Sequence, residues 1–225
     1  MSSKLLKEIA KGTKGAVMKK KIITYFIYNS CATITDLAKE MDLSVPTVTK
    51  FVEEMVEEGY VNECGKLETS GGRHPNLYCL NADSAYFIGV DVSAFYVNIA
   101  LIDFRGEMVM VETGIPFKPV NVPENFEELC VIIKGFINKV PVDTKKILNI
   151  NIDMPGRINS ELGYSHILYN FDDKPISEEF SKRFNGMRVS VDNDTRGMAY
   201  GEYVQSHLKG EKNIIFINVS WGLAM

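Results

Sequence analysis

The sequence contains no long apolar run, which sets a first limit on the class of protein. No stretch of its 225 residues approaches the about 18 to 20 apolar residues that a membrane span requires. The first 21 residues also lack the continuous apolar segment of a signal peptide. We therefore expect a cytoplasmic protein with no membrane partner.

Cysteine is scarce, and its spacing excludes the common kinds of cysteine site. The four cysteines form no C-x-x-C pair of the kind that binds zinc or carries redox chemistry. We expect reduced, mostly buried thiols, no metal and no other cofactor. Cys64 and Cys79 stand where a hairpin can bring them together, but a cytoplasmic setting argues against a disulfide. The other two are Cys31 and Cys130.

A net charge of −4 hides an uneven distribution of charge along the chain. Residues 1–82 hold eleven Lys and Arg against ten Asp and Glu, whereas residues 83–225 hold fourteen against nineteen. Residues 1–22 alone carry seven lysines and one acid. Two interpretations stay open for this basic arm: a nucleic-acid contact and a solvated terminus.

Apolar periodicity predicts three helices in the first 60 residues. In the first, residues 17–30, one face is apolar and the lysines lie on the other. Thr33 and Asp36 have the spacing of a capping box that opens a short second helix. Ser44 as N-cap and Pro46 in the first turn begin the third. So tight a connection predicts a helix-turn-helix. The apolar face of the first helix holds Met18, Ile22, Ile23, Phe26 and Ile27; that of the third holds Val48, Phe51, Val52, Met55 and Val56.

The polar face of the third helix divides lengthwise into two halves of different charge. Phosphates repel the carboxylates of its second half, so only the N-terminal half suits a DNA groove, as in helix-turn-helix recognition helices. A small helical bundle with a solvated acidic face is the alternative. The N-terminal half offers Ser44, Thr47, Thr49 and Lys50, and the second half offers Glu53, Glu54, Glu57 and Glu58.

Two short β-prone runs, 60–64 and 77–80, follow this helix and flank a polar, glycine-rich tip. The tip contains Gly72, Arg73 and His74, which suit a phosphate backbone or a minor groove. In order and spacing, "DLAKEMDLSVPTVTKFVEEMVEEGYV" and "SGGRHPNLYCLN" resemble the winged helix-turn-helix of NagC/XylR-type repressors in the ROK (repressor, open reading frame, kinase) family.

The remainder of the chain reads as an α/β unit. Three strand-like runs, "YFIGVDV", "YVNIALID" and "EMVMVET", precede a helix over 123–140 and a strand over 146–153. A helix over 176–184, the strand "MRVSVD", a helix from about residue 195 and a last strand "NIIFINVS" follow. This order predicts a mixed sheet with helices on both sides.

That order resembles the first lobe of the actin-like sugar-kinase fold of ROK proteins. "NIDMPGRIN" is similar to the family's Pro-Gly loop near the sugar, and "VDNDTRGMAYGEY" to its Asn-Asp element. The resemblance implies sugar-binding roles for Gly156 and Asn193, and for Asp194 the position of the kinase base. A role for Asp194 as a helix N-cap only is the alternative.

Three further residues near the Pro-Gly loop are open. For Tyr169 and Asn170, two positions stay open: lining the sugar cleft or lying outside it. For Arg157 the alternatives are a contact with a ligand oxygen and an ion pair with a carboxylate. We include Asn170 with Gly156, Asn193 and Asp194 as the expected sugar-binding set.

Both nucleotide loops of the family's kinases are altered here. An Asp-Gly-Gly-Thr-like loop lets backbone amides approach phosphates, but this chain continues from Asp91 with Val, Ser, Ala and the bulky Phe95 and Tyr96. The second loop, expected as Gly-Thr-Gly, is "SWGLAM". We therefore expect no catalytic residue. The family's second lobe supplies a Glu, a His and a zinc motif absent here, so we expect a fragment of a longer protein or a last strand covered by another chain.

Together these patterns predict a sugar-responsive transcriptional regulator, a repressor. Residues 1–82 are the expected basic arm and winged helix, and 83–225 the expected incomplete sugar-sensing domain. The expected partners are operator DNA, a sugar or sugar-phosphate effector, and further copies of the chain as a dimer or higher oligomer. A ROK sugar kinase with an added DNA-binding domain and a protein-interaction module are the alternatives.

Overall fold

The computed structural model describes residues 8–9, 11–68, 74–171, 173–206, 213–219 and 223–224. The chain divides into two compact units, Met1–Ala85 with Asp103–Glu107, and Tyr86–Ile102 with Met108–Met225. The domain boundary that the sequence places between residues 82 and 83 stays a prediction. Within the described ranges, no helix has both the length and the apolar character to cross a bilayer.

The first unit is a winged helix, with three helices against a small antiparallel sheet. Strand β3 lies between β1 and β2 and pairs antiparallel with both. The core between helices and sheet includes Ile22, Phe26, Leu37, Val52 and Leu80. The elements are α1 (Lys14–Asn29), β1 (Cys31–Thr33), α2 (Ile34–Met41), α3 (Val45–Glu57), β2 (Val61–Lys66) and β3 (Asn76–Leu80).

Side-chain hydrogen bonds cap the N-termini of both helices of the helix-turn-helix, as predicted. The Thr33 hydroxyl accepts a hydrogen bond from the Asp36 backbone N–H at 3.1 Å, and Asp36 accepts one from the Thr33 backbone N–H at 3.0 Å. This confirms the capping box. Ser44 caps α3, and Pro46 stands in its first turn. The turn between the helices contains Asp42 in the left-handed conformation.

The predicted faces of α1 are wrong at two positions. Ile27 is 46% exposed, although it was expected on the apolar face. Lys19 was expected in solvent, but it is only 5% exposed and its ammonium lies 2.8 Å from Glu58 Oε1 and 3.2 Å from Glu54 Oε2. Lys19 stands three positions before the buried Ile22, so the helical period carries it onto the packed face. The carboxylates of Glu54 in α3 and of Glu58, its C-cap, make that position tolerable for a charge.

The second unit is built on a five-stranded mixed sheet in the order β10-β7-β4-β5-β6. Strand β7 pairs parallel with β4 and β10, and β5 pairs antiparallel with β6, which confirms the predicted mixed sheet. The elements are β4 (Tyr86–Val92), β5 (Tyr96–Asp103), β6 (Met108–Pro116), α4 (Pro123–Ile137), β7 (Ile147–Met154), β8 (Ile158–Asn159), β9 (Tyr164–Ser165), α5 (Ile176–Arg183), β10 (Val189–Asn193), α6 (Asp194–Gln205), β11 (Asn218–Val219) and β12 (Leu223–Ala224).

Alternation along β7 separates the two faces of this sheet. Ile150 and Ile152 are buried in one core with apolar residues of α4 and α5. Residues two apart along a strand share a face, so Asn149, Asn151 and Asp153 lie on the other side. Helix α6 lies on the side of Asn149, Asn151 and Asp153, as the close approach of its Gly197 to the Asp153 carboxylate shows. Helices thus cover both faces, as predicted.

Two sequence-based predictions fail in this fold. Residues 213–217 form no strand, and β11 pairs only with β12, outside the main sheet. Ile215 and Val219 are each 77% exposed, since no second apolar layer lies over them in the described part of the chain. The cysteines are free as expected, but Cys31 and Cys64 are exposed rather than buried.

Replacing Lys19 should destabilise the winged helix. Lys19→Met leaves Glu54 and Glu58 without their shared cation, and we expect a loss of about 1 to 3 kcal/mol in the free energy of unfolding. Lys20→Met is the control, because Lys20 is exposed on the same helix and should change stability little. Denaturant unfolding of both variants measures this. Equal stability of the two variants would show that the buried ion pairs contribute nothing.

Candidate functional site

The N-terminal end of α3 presents a compact polar surface. Ser44, Thr47 and Lys50 are exposed, and the Ser44 and Thr47 hydroxyl oxygens lie 2.8 Å apart. Thr49 differs, because it is half-buried and its hydroxyl donates to the Val45 carbonyl at 2.8 Å. Three of the four predicted helix residues are therefore exposed at this end of α3.

Val45 extends this surface and was missed by the sequence reasoning. It is 47% exposed at the first position of α3, beside Ser44. An exposed apolar side chain at this end of a recognition helix suits the methyl group of a thymine. The sequence could have indicated it, because Val45 is apolar but does not lie on the apolar face of this helix.

The acidic second half of α3 is partly neutralised. Glu54 and Glu58 are half-buried and bound to Lys19, whereas Glu53 and Glu57 are exposed. Burial lowers the pKa of Lys19, but hydrogen bonds to Glu58 and Glu54 outweigh it, so the pKa lies above the usual lysine value. The cation therefore stays charged at neutral pH.

The wing consists of β2, β3 and the residues between them. The Leu67 N–H donates to the Pro75 carbonyl at 2.9 Å, which closes the described base of the wing. His74 is exposed, and its Nδ1 lies 3.3 Å from the Leu67 carbonyl oxygen. Gly72 and Arg73, both predicted to contact DNA, lie outside the described residues.

In the second unit, the structure brings together three of the four predicted sugar-binding residues. Gly156 follows β7, while Asn193 and Asp194 lie where β10 ends and α6 begins. The Asn193 side-chain amide donates to the Gly156 carbonyl at 3.0 Å and to Asp194 Oδ1 at 2.9 Å. Because β7 and β10 are parallel, their carboxyl ends meet at one edge of the sheet and place these residues side by side.

Helix capping at this edge falls to Asn193 rather than Asp194. Asn193 Oδ1 accepts from the Arg196 N–H at 3.1 Å, which makes Asn193 the N-cap of α6. The alternative of Asp194 as a plain N-cap is therefore wrong. Asp194 Oδ1 accepts from the Thr195 N–H at 2.7 Å, and Oδ2 makes no hydrogen bond to any described residue. That second oxygen is available to a ligand hydroxyl.

The two residues after the Pro-Gly loop behave differently. Tyr169 is 1% exposed, and its hydroxyl donates to Asn125 Oδ1 at 2.8 Å, so of the two possibilities left open for it, Tyr169 is a core residue. Its backbone is left-handed, with φ of 58°, and its ring lies in the core. Asn170 is exposed and, within the described ranges, makes no hydrogen bond to Gly156, Asn193 or Asp194. Arg157 is also exposed and forms no ion pair with a described carboxylate.

The turn between β4 and β5 lacks the features of a phosphate-binding loop. Phe95 is 52% and Tyr96 is 41% exposed, so two aromatic rings project from it. The Ser93 N–H already donates to the Tyr96 carbonyl at 2.9 Å. A phosphate needs several free amides without side chains in its way. The second altered loop, "SWGLAM", lies largely outside the described residues.

Three aspartates lie in register near the carboxyl ends of the parallel strands, an arrangement that the sequence reasoning missed. Asp153 of β7 pairs with Asp91 of β4 on one side and Asp192 of β10 on the other. Burial raises the pKa of Asp153 to about 6; a hydrogen bond from Asn151 opposes this, and the charges of Asp192 and Asp91 add to it. Burial also raises the pKa of Asp91, against a hydrogen bond from Asn98. The signal available in the sequence was that each aspartate lies near the carboxyl end of its strand.

A chain of hydrogen bonds continues this polar face away from Asp153. Asn151 donates to Asp153 Oδ1 at 2.8 Å and accepts from the Ser190 hydroxyl at 2.7 Å. Ser190 accepts in turn from Asn149 at 2.7 Å. Asn149, Asn151 and Asp153 border an open cavity of about 1060 Å³ beside α6, whose lining includes Tyr200 and Arg196.

Comparison with known proteins assigns both units. The profile of the ROK family matches residues 87–225, and a profile described as winged helix-turn-helix DNA-binding matches residues 18–62. The protein therefore belongs to the ROK family and carries a winged helix-turn-helix ahead of its ROK domain.

Curated relatives and a solved structure agree with this assignment. The chain is 29% identical over 208 residues to the xylose repressor of Caldicellulosiruptor bescii, covering 90% of this chain and 51% of that protein. It is 22% identical to the transcriptional dual regulator NagC of Escherichia coli, covering 83% and 46%. The chain thus spans about half the length of the curated relatives it matches. A ROK transcriptional regulator homologous to Escherichia coli MLC shares the fold, with a TM-score of 0.58, 24% identity and coverage of 78% and 46%.

Charge removal at Asp153 should stabilise the protein in a pH-dependent way. A carboxyl whose folded pKa is raised from 3.8 to about 6 favours folding at low pH and loses that contribution as pH rises through this window. We expect Asp153→Asn to gain about 1 to 3 kcal/mol over the wild type at pH 7 and nothing near pH 4. Asp173→Asn, at an exposed position, is the control. Unfolding curves of the wild type and the variants at pH 4 and pH 7 measure this. A stability difference between Asp153→Asn and the wild type that is the same at both pH values would contradict the raised pKa of Asp153.

Gly197 is required by its contact with Asp153. A Cβ at Gly197 would lie 2.7 Å from Asp153 Cγ, whereas a Cβ at Gly201 in the same helix meets nothing within 4 Å. We expect Gly197→Ala to lose about 1 to 3 kcal/mol in unfolding free energy. Gly201→Ala should gain about 0.5 to 1 kcal/mol from helix propensity. Thermal unfolding compares the pair, and equal melting temperatures would rule out the close packing of α6 on β7.

Proposed function

We propose that this chain is the DNA-reading and sugar-sensing part of a sugar-responsive transcriptional repressor. The observation that carries the proposal is the combination of an exposed recognition-helix end with an assembled Gly156, Asn193 and Asp194 set. The winged helix reads an operator, and the ROK domain binds a sugar or sugar phosphate. The protein works in the cytoplasm as a dimer or higher oligomer.

The DNA contacts divide by the chemistry of the side chains. Ser44, Thr47 and Lys50 offer donors and acceptors to base edges in the major groove. Val45 adds an apolar contact beside them. Gly72, Arg73 and His74 of the wing suit the phosphate backbone, which fixes register without reading sequence. Thr49 supports the helix end through its bond to Val45.

The sugar site uses acceptors at the edge of the sheet. Asp194 Oδ2 accepts from a sugar hydroxyl, and the backbone at Gly156 is fixed for the ligand by the bond from Asn193. Asn170 contributes from the loop after Gly156 once a ligand is bound. The relatives are named for xylose and N-acetylglucosamine, so these two sugars and their phosphates are the first to test.

We propose that the domain senses sugar without phosphorylating it. The β4–β5 turn supports this, because Val, Ser and Ala follow Asp91 where kinases of the family have an Asp-Gly-Gly-Thr-like loop, and the exposed rings of Phe95 and Tyr96 project from the same turn. A sugar kinase remains the competing function, since Asp194 retains an open carboxylate oxygen in the position of the family's base. ATP turnover that disappears in Asp194→Asn would support the kinase instead.

Selection from genomic DNA tests the proposal. We expect the purified protein to enrich a palindromic duplex from upstream fragments of its own genome. Among xylose, N-acetylglucosamine and their phosphates, we expect one to release that duplex. Lys50→Ala and Thr47→Ala should change which sequence is preferred, whereas Arg73→Ala should weaken binding to all sequences and reduce the salt slope by about one. Glu53→Ala is the control on the same helix, at an exposed carboxylate outside the groove-facing half.

Each outcome of this selection has a distinct meaning. Enrichment that no sugar changes would remove sensing from this chain and keep DNA reading. Absence of enrichment even at low salt would overturn the DNA-reading function and favour a protein partner for the winged helix. Unchanged affinity and salt slope in Arg73→Ala would show that the wing does not contact the backbone.

A further inference from the structure

The turn between β5 and β6 is held by side-chain hydrogen bonds to its own backbone. Asp103 Oδ1 accepts from the backbone N–H groups of Arg105 at 2.8 Å and Glu107 at 3.0 Å. Gly106 has a φ of 88°, which the turn requires and which other residues adopt only with strain. The carboxylate and the glycine together fix the direction in which Phe104 and Arg105 project.

This turn belongs to the first unit, although its two strands belong to the second. Residues Asp103–Glu107 group with Met1–Ala85, whereas both flanking segments lie in the second unit. The Phe104 N–H donates to the Ala82 carbonyl at 3.2 Å, and its ring lies 6.2 Å from that of Tyr60, between centroids. Phe104 therefore packs on the apolar core of the winged helix.

Arg105 makes the polar attachment. Its Nε donates to the Leu80 carbonyl at 2.7 Å, and its Nη2 lies 3.3 Å from Cys79 Sγ. Leu80 and Cys79 are both buried at the end of β3. Two contacts from one guanidinium hold both the position and the angle of this strand end, since the planar group presents its donors in a fixed fork.

Strand β3 is the central strand of the winged-helix sheet. It pairs with β2, the other strand of the wing, through Asn62 and Cys79, and with β1 through Cys31 and Cys79. Strand β1 in turn leads directly into α2 of the helix-turn-helix. A shift of the β3 end therefore moves the wing and the start of α2 together.

We propose that Arg105 is a positioning residue that couples the two functions through the β5–β6 turn. When the sheet of the ROK domain changes on binding its effector, β5 and β6 carry the change to the turn, and Arg105 passes it to β3. Linkage makes the coupling reciprocal in binding free energy, so we expect DNA bound to the winged helix to alter β5 and β6 as well. This inference rests on the proposed DNA-reading function.

Hydrogen exchange with and without DNA tests this coupling. The probe is the tightest-binding duplex recovered in the selection above. We expect DNA to change amide exchange in β5 and β6 of the wild type by about fivefold or more, the range of ordinary allosteric coupling. In Arg105→Ala the duplex still binds, but the change stays confined to the first unit.

Two matched variants separate coupling from simple stability. Arg105→Gln keeps one donor for the Leu80 carbonyl and should give an intermediate response; it also decides the question if Arg105→Ala folds poorly. Lys139→Ala removes the 2.9 Å ion pair with Glu112 of β6, away from the turn, and should respond as the wild type does.

The outcomes are distinguishable. An equal response in the wild type and both Arg105 variants overturns the role of Arg105. A wild type that binds DNA without any change in β5 and β6 overturns coupling through this turn while leaving DNA reading intact. A wild type that binds no duplex overturns the proposed function, and the inference with it.

Discussion

Parallel pairing of β7 with both β4 and β10 is the constraint on which the ROK domain depends. Parallel strands end at the same edge of a sheet, so the β4–β5 turn, the Pro-Gly loop and Asn193 are gathered there. Alternation along β7 then gives each face its character: isoleucines pack on α4 and α5, and polar residues face α6. The candidate sugar site and the core are thus consequences of one strand's position.

The same register places three carboxylates side by side and creates a local cost. Asp153 is the most affected, because it is flanked by Asp91 and Asp192 and its carboxylate approaches Gly197 of α6. Hydrogen bonds from Asn151 and Asn98 moderate this cost without removing it. The winged helix shows the opposite arrangement, since Lys19 places one buried cation between two carboxylates of α3 and its C-cap.

The sequence was sufficient where a property is local and periodic. The Thr33 capping box, the Ser44 helix start and the alternation of β7 depend on neighbours along the chain, so their patterns are legible. Asn193 and Asp194 were recognised by their motif, but the N-cap of α6 is Asn193, whereas the sequence offered Asp194 as the alternative cap, because only backbone geometry decides which residue precedes the first helical turn. The cost of a positive φ at Tyr169 is likewise invisible in a sequence.

Tertiary contacts account for the remaining errors. Lys19 resembles its solvated neighbours until α3 and its C-cap supply two carboxylates, and Arg105 resembles any turn residue until β3 supplies an acceptor. The predicted last strand required a neighbour in the main sheet, and the described chain provides only β12. Each of these depends on a residue distant in sequence, which periodicity does not encode.

A calorimetric titration tests most directly our proposal that one chain reads DNA and senses sugar through linked sites. The effector sugar is titrated into the free protein and into the protein saturated with its operator duplex. We expect weaker sugar binding to the DNA complex, by the same factor by which the sugar weakens DNA binding. Equal sugar affinity in both titrations would contradict it.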